Sequence, residues 1–233
     1  MYDDPQLPNG ADADASSPIL RLTHRRLWSK PTRSGTRIEL AADLSLTSPT
    51  HVRGLRLSSD TIATTHAAYN SVRSSGHWAS LGTVAQERYE RAFYAIGGFI
   101  VFPCHQNSLN QARGTRWQIS DRFDLTLECV RLYYEGITAP ERNPLGDILI
   151  SDAAFFDLFG TESSGFQSYV DFFHLGDLVD DGSVRWFDEA ARECWDFATS
   201  PLPHEQASYV RYLENVLAFV NARTRRMASQ ASG

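Results

Sequence analysis

The sequence predicts an α+β fold: a β-rich N-terminal part, one central buried strand and a mostly helical C-terminal half. Three observations carry the prediction. Short runs that mix apolar and polar residues, separated by turn formers, fill residues 19–62. One continuous apolar run, Phe99-Ile100-Val101-Phe102, is stopped by Pro103. Beyond it, apolar residues recur at helical spacing almost to the end of the chain.

The elements follow in order. Residues 1–18 are polar, acidic and turn-rich, and read as a disordered tail. Ile19-Leu20-Arg21-Leu22 and Arg37-Ile38-Glu39-Leu40 read as short strands, and His51 to Leu57 alternates, with Gly54 permitting a bulge. Ser58-Ser59-Asp60 reads as a turn or the cap of a short helix. Thr83 to Ala95 is expected to be helical, with Val84, Tyr89, Ala92, Phe93 and Ile96 on its buried face and Gly97-Gly98 ending it. Phe99 to Phe102 suits a central strand. Cys104 to Thr115 reads as a polar loop, and Arg122 to Glu135 as a second helix closed by Gly136. Ala153 to Phe159 and Phe166 to Leu175 are further helical runs. A turn at Asp180-Asp181-Gly182-Ser183 leads to a short strand with Val184, Trp186 and Phe187. A long amphipathic helix spans His204 to Met227, its stripe formed by Tyr209, Tyr212, Leu213, Val216, Leu217, Phe219 and Val220. These elements make one domain over 19–228, with a flexible end at 229–233.

Composition narrows the function. A net charge of −6 argues against a protein that coats polyanions with its whole surface. No apolar run approaches the ~18–20 residues that span a bilayer, so no membrane partner is expected. The N-terminus lacks the basic start and apolar core of a signal peptide, and a cytoplasmic location follows as the expectation. Cys104, Cys129 and Cys194 lie too far apart for C-x-x-C chemistry, and the seven histidines show no metal-binding spacing, so no metal is assigned. No cofactor is implied. All but one of the 22 basic residues are arginine, a bias that fits a GC-rich bacterial genome. Lys30 is the exception, and a Schiff-base mechanism is nearly excluded, because Lys30 would be its only candidate.

The candidate functional centre is Ile96 to Glu135, where a buried strand feeds a polar loop and the loop feeds a helix. Asn107, Asn110 and Arg113 stand in that loop, beside Gly114, whose backbone can take positive φ and admit a ligand. Arg122 and Asp124 open the helix, where Asp124 also complements the helix dipole. Asp124, Glu128, Arg131 and Glu135 form one charged stripe between two apolar rows. That stripe is either a solvated face with surface ion pairs or the wall of a pocket. As a pocket it binds an anionic, nucleotide-like ligand or a nucleic-acid end. Arginines hold phosphate or carboxylate, the asparagines orient the ligand, and Glu128 with Arg131 serves glycosyl or phosphoryl chemistry. The alternative is a non-catalytic regulatory or defence-system protein whose partner is another protein, met by the C-terminal helix and the aromatic segments. His105, two residues beyond the strand, is a weaker candidate base, and His174 reads as structural.

Three stretches carry a resemblance. They are Ile96 to Pro103 with Asn107 to Gly114, Ile119 to Arg131, and Tyr169 to Phe173 with Asp177 to Val179. The chain is similar in these to an uncharacterised bacterial family known as a domain of unknown function. The resemblance implies one domain over most of 19–227 and transfers no catalytic residue.

Overall fold

The computed structural model describes residues 17–28, 30–32, 35, 55–62, 76–105, 107–187, 197, 203 and 205–230. The first element is a helix, α1 (Pro18–Trp28). Ser17 caps it, its Oγ accepting the Leu20 amide at 3.1 Å. A serine before proline is a strong helix start, because serine supplies the cap and proline at the first turn lacks only an amide that would be orphaned anyway. Leu20, His24 and Leu27 then share the buried face. The strand expected at Ile19–Leu22 is therefore corrected: an alternating tetrapeptide is outweighed by the cap in front of it. The run at 37–40 and the tail at 1–16 lie outside the described residues.

The one extended strand among the described residues of the N-terminal part is β1 (Leu57–Thr61). Among the described residues, then, the expected β-rich N-terminal part is not supported. Nor is Ser58-Ser59-Asp60 a turn. β1 pairs antiparallel with β2 (Phe99–Pro103), Leu57 opposite Pro103 and Thr61 opposite Phe99. β2 is buried along its whole length, and pairing with it overrides the weak strand propensity of serine and aspartate. His24 Nε2 meets Ser59 Oγ at 3.0 Å and ties α1 to β1.

Between the strands lies α2 (Thr83–Phe93), followed by a 3-10 turn at Ile96–Gly98. After β2 come α3 (Leu109–Thr115), α4 (Phe123–Tyr134), α5 (Gly146–Ser151) and α6 (Ala153–Phe156), which runs into a 3-10 turn at Asp157–Phe159. Next are α7 (Glu162–Phe172) and the hairpin of β3 (Val179–Asp180) and β4 (Ser183–Val184). The chain closes on α8 (Gln206–Gln230). The helical C-terminal half is as the sequence predicts, and the central strand lies one residue longer than its apolar run.

The core gathers around β2. α4 and α7 pack on each other, and α8 packs on α2 and on the Ile96–Gly98 turn. Phe155, Phe156, Phe159, Tyr169, Phe172 and Phe173 form one cluster of tilted and edge-on rings, with Phe159 and Tyr169 centroids 5.2 Å apart. All six are buried, so these aromatic segments serve the core. Tyr209, Tyr212, Leu213, Val216 and Val220 of α8 are buried as its stripe predicts. Arg223 is fully buried on the same helix. Its Nε donates to Phe173 O at 2.8 Å, and its Nη1 to Gly97 O and Phe99 O at 2.8 and 2.6 Å. Burial pushes its guanidinium down to about 9.

Candidate functional site

The segment after β2 is more ordered than a loop. Ser108 stands before α3, whose first amide, Leu109 N, donates to Asp152 Oδ2 at 3.0 Å. The other oxygen of Asp152 meets His105 Nε2 at 2.7 Å. Asp152 is almost fully buried, and the His105 side chain is about two-fifths exposed. Residues 109–115, expected as loop, are helical; Ser108 at the N-cap makes no side-chain cap bond, and a distant carboxylate takes the first amide instead. Gly114 accordingly lies inside α3 rather than in a left-handed turn.

Of the seven residues singled out in the sequence, five fall into three sets of partners, and Asn107 and Asn110 stand apart from them. Asn107 is exposed, with φ +62, and its amide donates to Gln111 Oε1 at 3.0 Å. Asn110 is half-buried on the first turn of α3.

Arg113 is fully buried. Its Nε donates to Thr126 Oγ1 at 3.0 Å, its Nη1 to Asp60 Oδ2, and its Nη2 to Asp121 O at 3.1 Å and Thr61 O at 3.4 Å. The guanidinium also lies over the Phe102 ring, 4.9 Å from its centroid. Arg113 thus joins β1, α3 and the turn before α4. Arg122 and Asp124 are buried together as a two-bond pair, Nε to Oδ1 at 3.1 Å and Nη2 to Oδ2 at 2.5 Å. Asp124 Oδ2 accepts the Phe187 amide at 2.8 Å, and Arg122 stacks over Tyr212 at 5.1 Å.

Glu128 and Arg131 bond each other twice, at 2.8 Å each, and Arg131 reaches Glu135 at 2.5 Å. Their side chains are 15%, 19% and 40% exposed. Glu128, Arg131 and Glu135 are thus paired along α4 itself, whereas Asp124, the first residue of the stripe, is buried with Arg122. Glu128→Gln is expected to cost about 1 kcal/mol or less, since glutamine keeps an acceptor for Arg131 and Glu135 keeps its charge partner. Urea denaturation of the variant checks this, and a loss of several kcal/mol would show a partner beyond α4.

Two carboxylates, Asp60 and Asp121, share the single guanidinium of Arg113. Asp121 sits at φ +61, nearly buried. Burial, reinforced by Asp60 and opposed by Arg113, pushes its carboxyl up to about 7. In the unfolded chain it ionises near 4. Between those values the folded state holds a proton that the unfolded state has lost. The contribution of this group to stability is therefore full below about pH 4 and declines as pH rises through about 7. Asp121→Asn removes the titration and keeps a side chain that tolerates positive φ. Its stability relative to the wild type is expected to rise from pH 4 to pH 7. Urea midpoints measured across that range test it, and a flat difference contradicts the assignment.

A concave site lies elsewhere. A half-open cleft of about 90 Å³ opens between α1 and α8, lined by Ile19, Leu22, Thr23, Arg26, Leu27 and Lys30 on one side. Ile96, His174, Thr224, Met227 and Ala228 complete it. Leucine, isoleucine and methionine make the wall, while Arg26, Lys30 and His174 stand at its polar end. Lys30 Nζ meets His174 Nε2 at 3.3 Å. Burial holds the Lys30 ammonium below the ordinary lysine range. No acidic side chain is among the described residues that line it. Sequence reasoning did not find this site, because 144 residues separate its two central groups. The signal that was present is the solitary lysine.

Among the described residues no group of His, Cys, Asp and Glu is placed to hold a metal ion, and no helix is long and apolar enough to cross a membrane. No curated protein and no solved structure matches the chain. A family of unknown function, DUF6994, matches it over residues 1–227. That match covers nearly the whole sequence, and the chain belongs to this family.

Proposed function

We propose that the protein binds a small anion with an apolar body in the cleft between α1 and α8. One observation carries the reading: a cleft whose wall is apolar and whose charged residues, among the described lining, are both basic. The apolar body lies against Ile19, Leu22, Leu27, Ile96 and Met227. The carboxylate or phosphate lies at Lys30, where partial burial strengthens the attraction over its value in water, and the exposed Arg26 adds a second positive charge to the lining. The anion expected from the sequence is kept, and the arginines expected to hold it are replaced. Arg113 and Arg122 spend their donors inside the fold.

Calorimetric titration with hexanoate, hexyl phosphate, adenosine monophosphate and neutral hexanol tests the reading. Saturable binding of an anion is expected, with hexanol at least tenfold weaker. Lys30→Gln is expected to weaken the anion at least tenfold. Leu22→Glu places a carboxylate on the wall at a position already 48% exposed, so it spares the fold and is expected to abolish binding. Equal affinity for hexanol and hexanoate, or anion binding indifferent to both substitutions, overturns the proposal.

A further inference from the structure

Among the described residues, four buried side-chain polar atoms have no hydrogen-bond partner in the protein: His24 Nδ1, Tyr169 Oη, Tyr209 Oη and Arg223 Nη2. Buried polar groups are nearly always satisfied, so each such atom calls for an explanation. Tyr209 neighbours Tyr89 and Tyr212 and stands apart. The other three belong together. Arg223 directs Nε and Nη1 to the carbonyls of Phe173, Gly97 and Phe99, which leaves both N–H groups of Nη2 buried without an acceptor. Tyr169 packs its ring on Phe173, centroids 4.8 Å apart, beside the carbonyl that takes Arg223 Nε. His24 Nε2 meets the Ser59 hydroxyl, and Ser59 pairs with Val101, close to the Phe99 carbonyl that takes Arg223 Nη1. The charge of Arg223 acts on both neighbours. Together with burial it holds the His24 imidazole down to about 3, and together with Arg113 it opposes the burial that pushes the Tyr169 phenol up. His24 is therefore a neutral imidazole and Tyr169 a protonated phenol.

Among the described residues no carboxylate pairs with Arg223, and the charged side chain that acts on it, Arg226, is a second cation. The three carbonyls offset part of its charge, but a buried cation is ordinarily paired. The unpartnered atoms around it all donate: the N–H groups of Nη2, the Tyr169 hydroxyl, and His24 Nδ1 when it carries the ring proton and Nε2 accepts from Ser59. Donors without acceptors beside an unpaired buried cation are the complement of an anion. We propose that the core binds a monovalent halide ion, ordinarily chloride, through Arg223 Nη2, Tyr169 Oη and His24 Nδ1. Tyr169, His24 and Arg223 are 1%, 1% and 0% exposed, so the ligand is of atomic size and not an oxyanion with a body. Water accepts the same donors but leaves the guanidinium without a counter-charge. The ion supplies both, and it ties α1, α7 and α8 to the Phe99 end of β2. This site is separate from the cleft and does not rest on the cleft being a ligand site.

The test uses the full chain over a hundredfold range of sodium chloride, with sodium gluconate holding the ionic strength constant. A ligand of the folded state stabilises it by mass action, so the thermal midpoint is expected to rise by about 3–6 °C for each tenfold rise in chloride above the dissociation constant. Crystals grown in bromide are expected to show an anomalous peak in contact with Arg223 Nη2 and Tyr169 Oη. Tyr169→Phe keeps the ring and removes a hydroxyl that has no protein partner. It is expected to weaken chloride at least tenfold, moving the rise to higher concentrations, and Arg223→Met is expected to abolish the rise. Without an ion, Tyr169→Phe only deletes an unsatisfied hydroxyl, and its midpoint differs from the wild type by the same amount at every chloride concentration. That result overturns the proposal whether or not Arg223→Met folds, and so does a wild-type midpoint indifferent to chloride. A density peak between these atoms with no bromine signal identifies water and overturns the halide. Hexanoate titration of Tyr169→Phe is expected to match the wild type, so failure of this site and failure of the cleft are read separately.

Discussion

Asp124→Ala is expected to destabilise the fold by about 3–5 kcal/mol, the cost of stranding a buried charge. Asp124 and Arg122 are both almost completely buried, and each is the other's two-bond partner. Removing the carboxylate leaves the Arg122 guanidinium beneath Tyr212 without its counter-charge. It also leaves the Phe187 amide without its acceptor, which adds an unsatisfied buried donor. That amide precedes the segment that leads into α8, so the loss spreads beyond α4. A double-mutant cycle identifies the cause. Arg122→Met combined with Asp124→Leu is expected to cost clearly less than the sum of the two single changes, because a well-packed apolar pair needs no counter-charge. Urea denaturation supplies the energies. Additive costs would show that the two side chains act independently.

Gly97→Ala is expected to cost about 3 kcal/mol or more, at the upper end for overpacking. A Cβ at Gly97 meets the Thr224 amide, Thr224 Oγ1 and the Val220 carbonyl. These are atoms of α8, two of them backbone, so the clash is relieved only if the helix moves. α8 is held there by Thr224 Oγ1, which accepts the Gly97 amide at 3.0 Å, and by Arg223, which donates to Gly97 O and Phe99 O. A shift of the helix weakens all three bonds. Gly114→Ala is the matched control: it lies in α3 with nothing within 4 Å of a built Cβ. There alanine is expected to stabilise by about 0.5–1 kcal/mol through helix propensity. Thermal midpoints of the two variants should move in opposite directions, and similar shifts would exclude close approach as the cause.

The local sequence was sufficient where an element is defined by its own residues. The apolar run Phe99–Phe102 becomes β2, the stripe from Tyr209 to Val220 becomes the buried face of α8, and the periodic residues of 123–134 become α4. For the helices burial follows from a pattern repeating every 3.6 residues and for β2 from a continuous apolar run, and the glycine closing α4 is visible in the same stretch. The solitary lysine was also legible as a feature, though not its surroundings. Tertiary structure decided what depends on partners far away in the chain. Asp152, 43 residues distant, caps α3 and turns a polar loop into a helix. Pairing with β2 makes a strand of Ser58-Ser59-Asp60. Arg113, a candidate anion ligand by composition, is taken by Asp60, 53 residues before it. Lys30 and His174 meet only because α1 and the end of α7 face the same end of α8. A charged side chain looks alike in sequence whether its partner is solvent, a ligand or another part of the fold. Coulomb and hydrogen-bond energies depend on distance and burial, and only the folded chain sets these.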